Sequence, residues 1–449
     1  VSRATPAILT DDGAVERDAA DLTDPEATSP VIAKARVLLG ASDFDGALAV
    51  VEEALVASPE DVVLRHELGV IQLRAGRTEA AVATLTRALE QAPDYYRAGY
   101  NRAVARTRLG DLDGARADYE AVLATRPEHV ESLYNLGLLL MRTGDAPGAV
   151  ARLRVATTVG GNGDRARAWF SLGVALTATG ETDEALAAYD KAVEYRPDYL
   201  LPRYNQALVL ARAGAAGRDR AEGVLNQLLT LQPQFAPGWF LRGRFASEAG
   251  DDVGALAHYR RAATLDPGLF KARYNEALLT LRLGQAEAAE RLFEALLTDF
   301  PEQAEVPFNL GRIAYQAGHF TQALAHYERA AGLAPDGYPE AQLNRGLVLR
   351  ALDRPDEALA TYDALIAAQP EYVAAHLNRA LVLMDDPARA ADARAALEHA
   401  LALEPANATA LYNLGKLEAA AGHDAKAAAA YQRALDARPG FVKAAVNLG

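Results

Sequence analysis

Apolar residues recur three and four positions apart through nearly the whole chain, in stretches broken by short polar turns. That spacing predicts helices with one buried face. One period runs from Val62 to Tyr95, VVLRHELGVIQLRAGRTEAAVATLTRALEQAPDY, and holds two amphipathic stretches flanking a turn at Ala75–Gly76–Arg77. Alanine then returns at one place in the second stretch: Ala47, Ala81, Ala115, Ala149, Ala185, Ala221, Ala255, Ala289, Ala323, Ala358, Ala393 and Ala427, at steps of 34 to 36 residues. Twelve residues before most of these alanines, and fourteen or thirteen before Ala221 and Ala393, stands Gly or Ala, from Ala35 and Gly69 to Ala380 and Gly415. A small residue on each helix lets the two axes approach closely, and a leucine there would overpack the contact. The period marks a helical solenoid, whose units contact only their neighbours. A chain of 449 residues is too long for one compact core, and stacking avoids that limit. The fold expected is all-α.

Proline closes the second helix at Pro59, Pro93, Pro127, Pro197, Pro233, Pro267, Pro301, Pro335, Pro370, Pro405 and Pro439, since it cannot continue the hydrogen-bond ladder. Acidic residues often follow, as at Asp94, Glu128, Asp198, Asp336 and Glu371, and are expected to cap the next helix. Counting Val62 as position 1, position 24 is aromatic at Tyr119, Tyr189, Tyr259, Phe293, Tyr327, Tyr362 and Tyr431, and position 27 is commonly alanine, as at Ala88, Ala192 and Ala434. With small residues at 8, 20 and 27, an aromatic near 24 and proline at 32, the chain resembles the tetratricopeptide repeat family from about residue 28 onward. The resemblance implies a right-handed superhelical solenoid of antiparallel helix pairs, the first helix of each pair lining a concave groove. Residues 30–441 then hold twelve repeats, and 442–449 begin a thirteenth.

Two places break the pattern. Repeat 4 ends in Val159–Gly160–Gly161–Asn162–Gly163 in place of its proline, and a bend is expected near 159–164. Repeat 6 carries a two-residue insertion around Ala213 to Arg220, read as a loop. The glycine-rich stretch lacks the Lys-Ser/Thr that grips phosphate in a P-loop. Residues 1–29 do not fit the repeat. With seven acidic and two basic side chains they read as an acidic, disordered linker or tether. The first residue is Val and the chain stops eight residues into repeat 13, so processing or truncation is expected. The compartment is open, with a lean toward an exported or membrane-tethered protein.

Composition narrows the chemistry. The net charge of −14 disfavours a nucleic-acid partner. The absence of cysteine excludes disulfides, thiolate metal sites and cysteine nucleophiles. No apolar run is long enough to span a membrane. There is neither an HExxH nor a GxSxG motif, and the histidines fall at repeat-equivalent places. No cofactor, no metal and no enzymatic activity within this chain are expected.

The candidate site is a row of asparagines at position 6 of the first helix: Asn101, Asn135, Asn205, Asn275, Asn309, Asn344, Asn378, Asn413 and Asn447, interrupted by Ser171 and Leu241. A carboxamide has donor and acceptor, so each can pair with a peptide backbone whatever its sequence. The C-terminal repeats are similar here to the superhelical repeat domain of O-GlcNAc transferase, and the resemblance implies asparagines that hold substrate peptides. Bonding between adjacent helices is the competing role for these amides. Position 5 adds aromatics, Tyr100, Tyr134, Phe170, Tyr204, Phe240, Tyr274, Phe308 and Tyr412, expected near the same face. Position 13 adds Arg74, Arg108, Arg142, Arg212 and Arg282, which either attract acidic segments or complement the helix end. The leading expectation is a non-enzymatic scaffold or adaptor that binds an extended peptide in the groove through the asparagine ladder. The alternatives are the substrate-recruiting repeat arm of a larger, glycosyltransferase-like enzyme, and a structural subunit of a multiprotein, envelope-associated assembly.

Overall fold

The structure, a computed structural model, describes residues 29–334 and 337–448; the acidic segment expected to be a tether lies outside them, save Ser29. The described residues hold twenty-five α-helices and no strand: twelve helix pairs and the opening helix of a thirteenth, Val442–Leu448. The chain is an all-α array of stacked helix pairs. It divides into two compact units at Phe245/Ala246, inside the first helix of repeat 7, Ala236–Glu248. The glycine-rich connection near 159–164 lies within the N-terminal unit, where Ala146–Ala156 packs on Asn162–Thr179.

Within each repeat the small residues do what their spacing required. The position-20 alanines from Ala47 to Ala393 are fully buried. A Cβ added at Gly173 would lie 2.6 Å from the Tyr189 ring, and one at Gly346 would lie 2.4 Å from the Tyr362 ring. Glycine at position 8 therefore makes room for the position-24 ring on the partner helix, and both rings are completely covered. In most repeats the turn between the paired helices holds a left-handed residue, supplied by Gly76 (φ 74°) and its equivalents, but by Ser42 (φ 60°) in repeat 1 and Asp353 (φ 59°) in repeat 10.

Two local expectations are corrected, and one set of caps joins them. The acidic residue after the proline is not the cap: Asp94 and Glu128 sit in the exposed turn. The residue that caps the first helix comes one position later, as Asp61, His129 and Asn407, whose side chains accept from the backbone amides of Leu64, Ser132 and Ala410. The second helices have their own caps, missed in the pattern: Asp43, Asp111, Asp145 and Asp251 each accept from the amide of a glycine three residues on. Finally, the insertion of repeat 6 is no loop. It lengthens the second helix at its start, giving Gly214–Leu231, because its alanines and arginines favour helix.

A further device fastens successive repeats. In five repeats the side chain at position 4 reaches back six residues to the carbonyl of the preceding proline. Arg65 donates to Pro59, Arg203 to Pro197 at 2.8 Å, Trp239 to Pro233 at 2.9 Å and Arg273 to Pro267 at 3.1 Å. His376 Nε2 lies 2.9 Å from the Pro370 oxygen. The proline turn would otherwise leave that acceptor to solvent.

Candidate functional site

Stacking decides which part of a first helix faces outward, and positions 5 and 6 are largely consumed by it. In the N-terminal unit Asn101, Asn135 and Asn205 are no more than 5% exposed, as are Tyr100, Tyr134 and Tyr204. Position 6 of one repeat meets position 5 of the repeat before. Asn101 Nδ2 lies 2.7 Å from His66 Nε2, Asn135 donates to the Tyr100 hydroxyl at 3.1 Å, and Ser171 donates to the Tyr134 hydroxyl at 3.3 Å. Asn205 bonds Tyr189 on the second helix of the repeat before, and burial pushes the Tyr189 hydroxyl up to about 12.

The C-terminal unit is mixed. Asn309 is 2% exposed and repeats the same contact, donating to the Tyr274 hydroxyl at 3.0 Å and to the Glu305 carbonyl at 2.8 Å, while its oxygen accepts from Arg312 at 3.2 Å. Burial raises the Tyr274 hydroxyl, and the Asn309 bond offsets part of that rise. Asn275 and Asn413 are buried and donate to the carbonyls of Lys271 and Thr409, four residues back. The exposed Asn447 lies 3.4 Å from the Tyr431 hydroxyl.

Two asparagines differ. Asn344 and Asn378 are half-buried on the first helices of repeats 10 and 11, Pro339–Ala351 and Val373–Leu383, which touch. Asn378 donates to Ala374 at 2.8 Å and has its oxygen to spare; Asn344 makes no hydrogen bond among the described residues. One helical turn on stand Leu347 and Leu381, also half-buried, and beyond them Arg350 grips Asp385 with two bonds of 2.6 and 2.9 Å. Amides, leucines and a charged fork thus form one strip across two neighbouring helices. The leucines and the fork went unnoticed in the pattern, although position 9 is apolar in most repeats. A strip of this kind offers polar partners for a backbone and apolar contact for its side chains.

The arginine row is not uniform either. Arg108 is exposed but donates to the Leu73 carbonyl at 3.2 Å, and Arg282 pairs with Asp252. Arg74 is half-buried and its guanidinium is held below its usual range, first by burial; Glu67 opposes that shift and Arg36 reinforces it. Arg142 and Arg212 are exposed and make no ion pair among the described residues. Also among the described residues, no cluster of His, Cys, Asp or Glu could hold a metal ion, and no helix is long and apolar enough to cross a membrane.

Family models described as tetratricopeptide repeat match residues 38–106, residues 166–199, and residues 100–158, 274–338, 343–388 and 388–440, well over half of the chain. The chain belongs to the tetratricopeptide repeat family. Its repeats make it a protein-interaction scaffold, the role of stacked-helix solenoids. These tetratricopeptide repeats are similar to part of a DnaJ homolog subfamily C member 7 homolog of Schizosaccharomyces pombe, 26% identical over 158 residues, which is 34% of this chain and 29% of that protein. They are similar also to part of the human protein O-mannosyl-transferase TMTC3, 27% identical over 136 residues, 30% of this chain and 15% of that protein. The chain therefore spans less than a third of either relative. Among solved structures, a tetratricopeptide repeat protein from Parabacteroides merdae aligns over 56% of this chain and 97% of its own at 22% identity, with a TM-score of 0.42. The APC/C hetero-tetramer Cut9-Hcn1 aligns over 92% and 94% at 14% identity, with a TM-score of 0.41.

Proposed function

We propose that this tetratricopeptide repeat protein is a non-enzymatic adaptor that holds an extended polypeptide segment on the first helices of repeats 10 and 11. The observation that carries the reading is the pair Asn344 and Asn378, half-exposed on touching helices, with an amide in the first that makes no internal hydrogen bond among the described residues. A backbone laid across them gains a donor and an acceptor from Asn344 and an acceptor from Asn378. Leu347 and Leu381 supply apolar contact beside the amides, so a segment with alternating apolar side chains fits. The wider ladder contributes by a different route. Asn135 and Asn309 spend their NH2 groups on the preceding repeat and so hold successive first helices in register. The exposed Arg142 and Arg212 of the N-terminal unit favour acidic segments there.

The test is capture of extended peptides from a display library. The Asn344→Ala, Asn378→Ala double variant should lose at least about tenfold in affinity, as two backbone bonds are worth, while far-ultraviolet circular dichroism stays unchanged. Undiminished capture by that variant would refute the site. A second reading, the substrate-recruiting arm of a larger transferase, draws on the O-mannosyl-transferase relatives. It requires a catalytic domain encoded in the same reading frame, and sequencing the whole frame decides it.

A further inference from the structure

The position-4 side chain that fastens repeats 2, 6, 7, 8 and 11 to the proline turn before them has no counterpart in repeat 3. Position 4 there is Gly99, and an open cleft of about 330 Å³ occupies the place. Its walls include Leu89, Pro93, Tyr96, Arg102, Asp118 and Val122, all within the N-terminal unit. No group among the described residues donates to the Pro93 carbonyl, the acceptor used at Pro59, Pro197, Pro233 and Pro267.

Repeat 7 holds the filled version of this cleft. Trp239 stands six residues after Pro233 and three before Arg242. Its indole N–H donates to the Pro233 oxygen at 2.9 Å, and the Arg242 guanidinium lies 5.7 Å from the ring. Gly99 stands six residues after Pro93 and three before Arg102. The proline carbonyl and the arginine are therefore in register, and the indole alone is absent. Arg102 is fixed in place by two bonds to Asp118, of 2.6 and 2.9 Å, and by one to the Thr86 hydroxyl at 3.2 Å.

We propose that the Gly99 cleft is a docking site for a tryptophan side chain presented by a partner polypeptide. The site is distinct from the strip on repeats 10 and 11. Arginine is the other long donor found at position 4, and the residue at position 7 separates the two cases. Arg65, Arg203 and Arg273 stand with Leu68, Gln206 and Glu276 at position 7, whereas Trp239 stands with Arg242, the arrangement that Arg102 repeats. A neutral indole meets Arg102 favourably and still carries the N–H that Pro93 lacks. A second copy of this chain is a poor donor of the ring. Its two tryptophans, Trp169 and Trp239, are both half-buried in their own repeats. The partner is therefore a different protein.

The test uses the full chain with ¹³C-labelled leucine and valine methyl groups, titrated with N-acetyl-L-tryptophanamide. The methyl resonances of Leu89 and Val122 should shift saturably. The same probe methylated on the indole nitrogen should bind about five-fold more weakly, the loss expected for one hydrogen bond. N-acetyl-L-argininamide should leave both methyl groups unmoved. The Gly99→Trp variant supplies the ring from within: its Cβ meets Val122 Cγ2 at 3.2 Å, a contact a small shift of that methyl relieves. It should raise the melting temperature and abolish the shifts. No shift in the unmodified chain, equal binding of the methylated probe, or shifts that survive in a folded Gly99→Trp variant would each overturn the proposal. The probe comparison needs no variant, so it decides the matter even if Gly99→Trp fails to fold.

Discussion

Replacing Asn309 tests whether the asparagine row is mainly internal fastening. In the fold its carboxamide is 2% exposed and bonds the Tyr274 hydroxyl of the preceding repeat, the Glu305 carbonyl and Arg312. Asn309→Ala removes all three and leaves the half-buried Tyr274 hydroxyl without that partner. The cost of stranding a buried polar group is about 1–3 kcal/mol. Asn344→Ala removes no internal bond at a half-exposed site and should cost less than about 0.5 kcal/mol. The specific claim is the pair. In a double-mutant cycle, Tyr274→Phe and Asn309→Ala should show a coupling of about 0.5–1.5 kcal/mol. A repeat array need not unfold in one step. The readout is therefore the local opening free energy from hydrogen exchange of the backbone amides in Glu305–Gln316. Asparagine 309 acting at the surface, with its bond to Tyr274 incidental, predicts a coupling of zero and equal costs for the Asn309 and Asn344 substitutions. Either result would refute the fastening role.

Other consequences follow from the same packing. His129 caps the first helix of repeat 4 as a neutral acceptor, and its pKa is lowered to about 4, first by burial, then by Arg126 and Arg97; Glu131 at 3.5 Å opposes the shift without reversing it. The unfolded chain binds this proton near pH 6.5 and the folded chain only near pH 4, so the stability present above pH 6.5 should fall by up to about 3 kcal/mol on acidification to pH 4. His129→Asn keeps the cap, as Asn407 does in repeat 12, and should flatten that part of a urea-midpoint profile against pH. Gly173→Ala would press a methyl onto the Tyr189 ring and should cost about 1–3 kcal/mol by overpacking; thermal unfolding followed by circular dichroism checks it. Asp251→Ala removes the cap on Asp252–Leu265 and should cost about 1 kcal/mol, visible as faster exchange in the first turn of that helix.

The helix pairs were legible because their causes are local. Periodicity, the glycine or alanine at position 8 and the proline at position 32 all act within one repeat. Caps were half legible: an acidic residue near the turn is easy to see, but Asp94 and Asp61 differ by one position, and only backbone geometry separates a solvated turn from a cap. The insertion of repeat 6 failed for a similar reason. An excess of residues was read as a loop, although alanine and arginine simply added length to Gly214–Leu231.

The site was legible as a row and not as a surface. A helical period says which residues share a stripe, but a first helix in a stack has four neighbours: its own partner, the second helix of the repeat before, and the first helices before and after. Position 6 lies on the stripe that meets the preceding helix, so an amide there can be consumed by a hydroxyl of the earlier repeat, as Tyr100 offers Asn135 and Tyr274 offers Asn309. Where position 5 is leucine, as at Leu343 before Asn378, no hydroxyl is offered and the amide turns to its own backbone. The useful signal was therefore the pairing between repeats, position 6 read against position 5 of the repeat before, and not the row alone. The same logic exposes Gly99. As a single glycine in a helix it says little, but read against Pro93 and Arg102, and against Trp239 between Pro233 and Arg242, it marks a place in the N-terminal unit where the other two members of that arrangement stand around an empty cleft. In a repeat array the departures become informative only when each residue is compared with its equivalents and with the neighbours those equivalents touch.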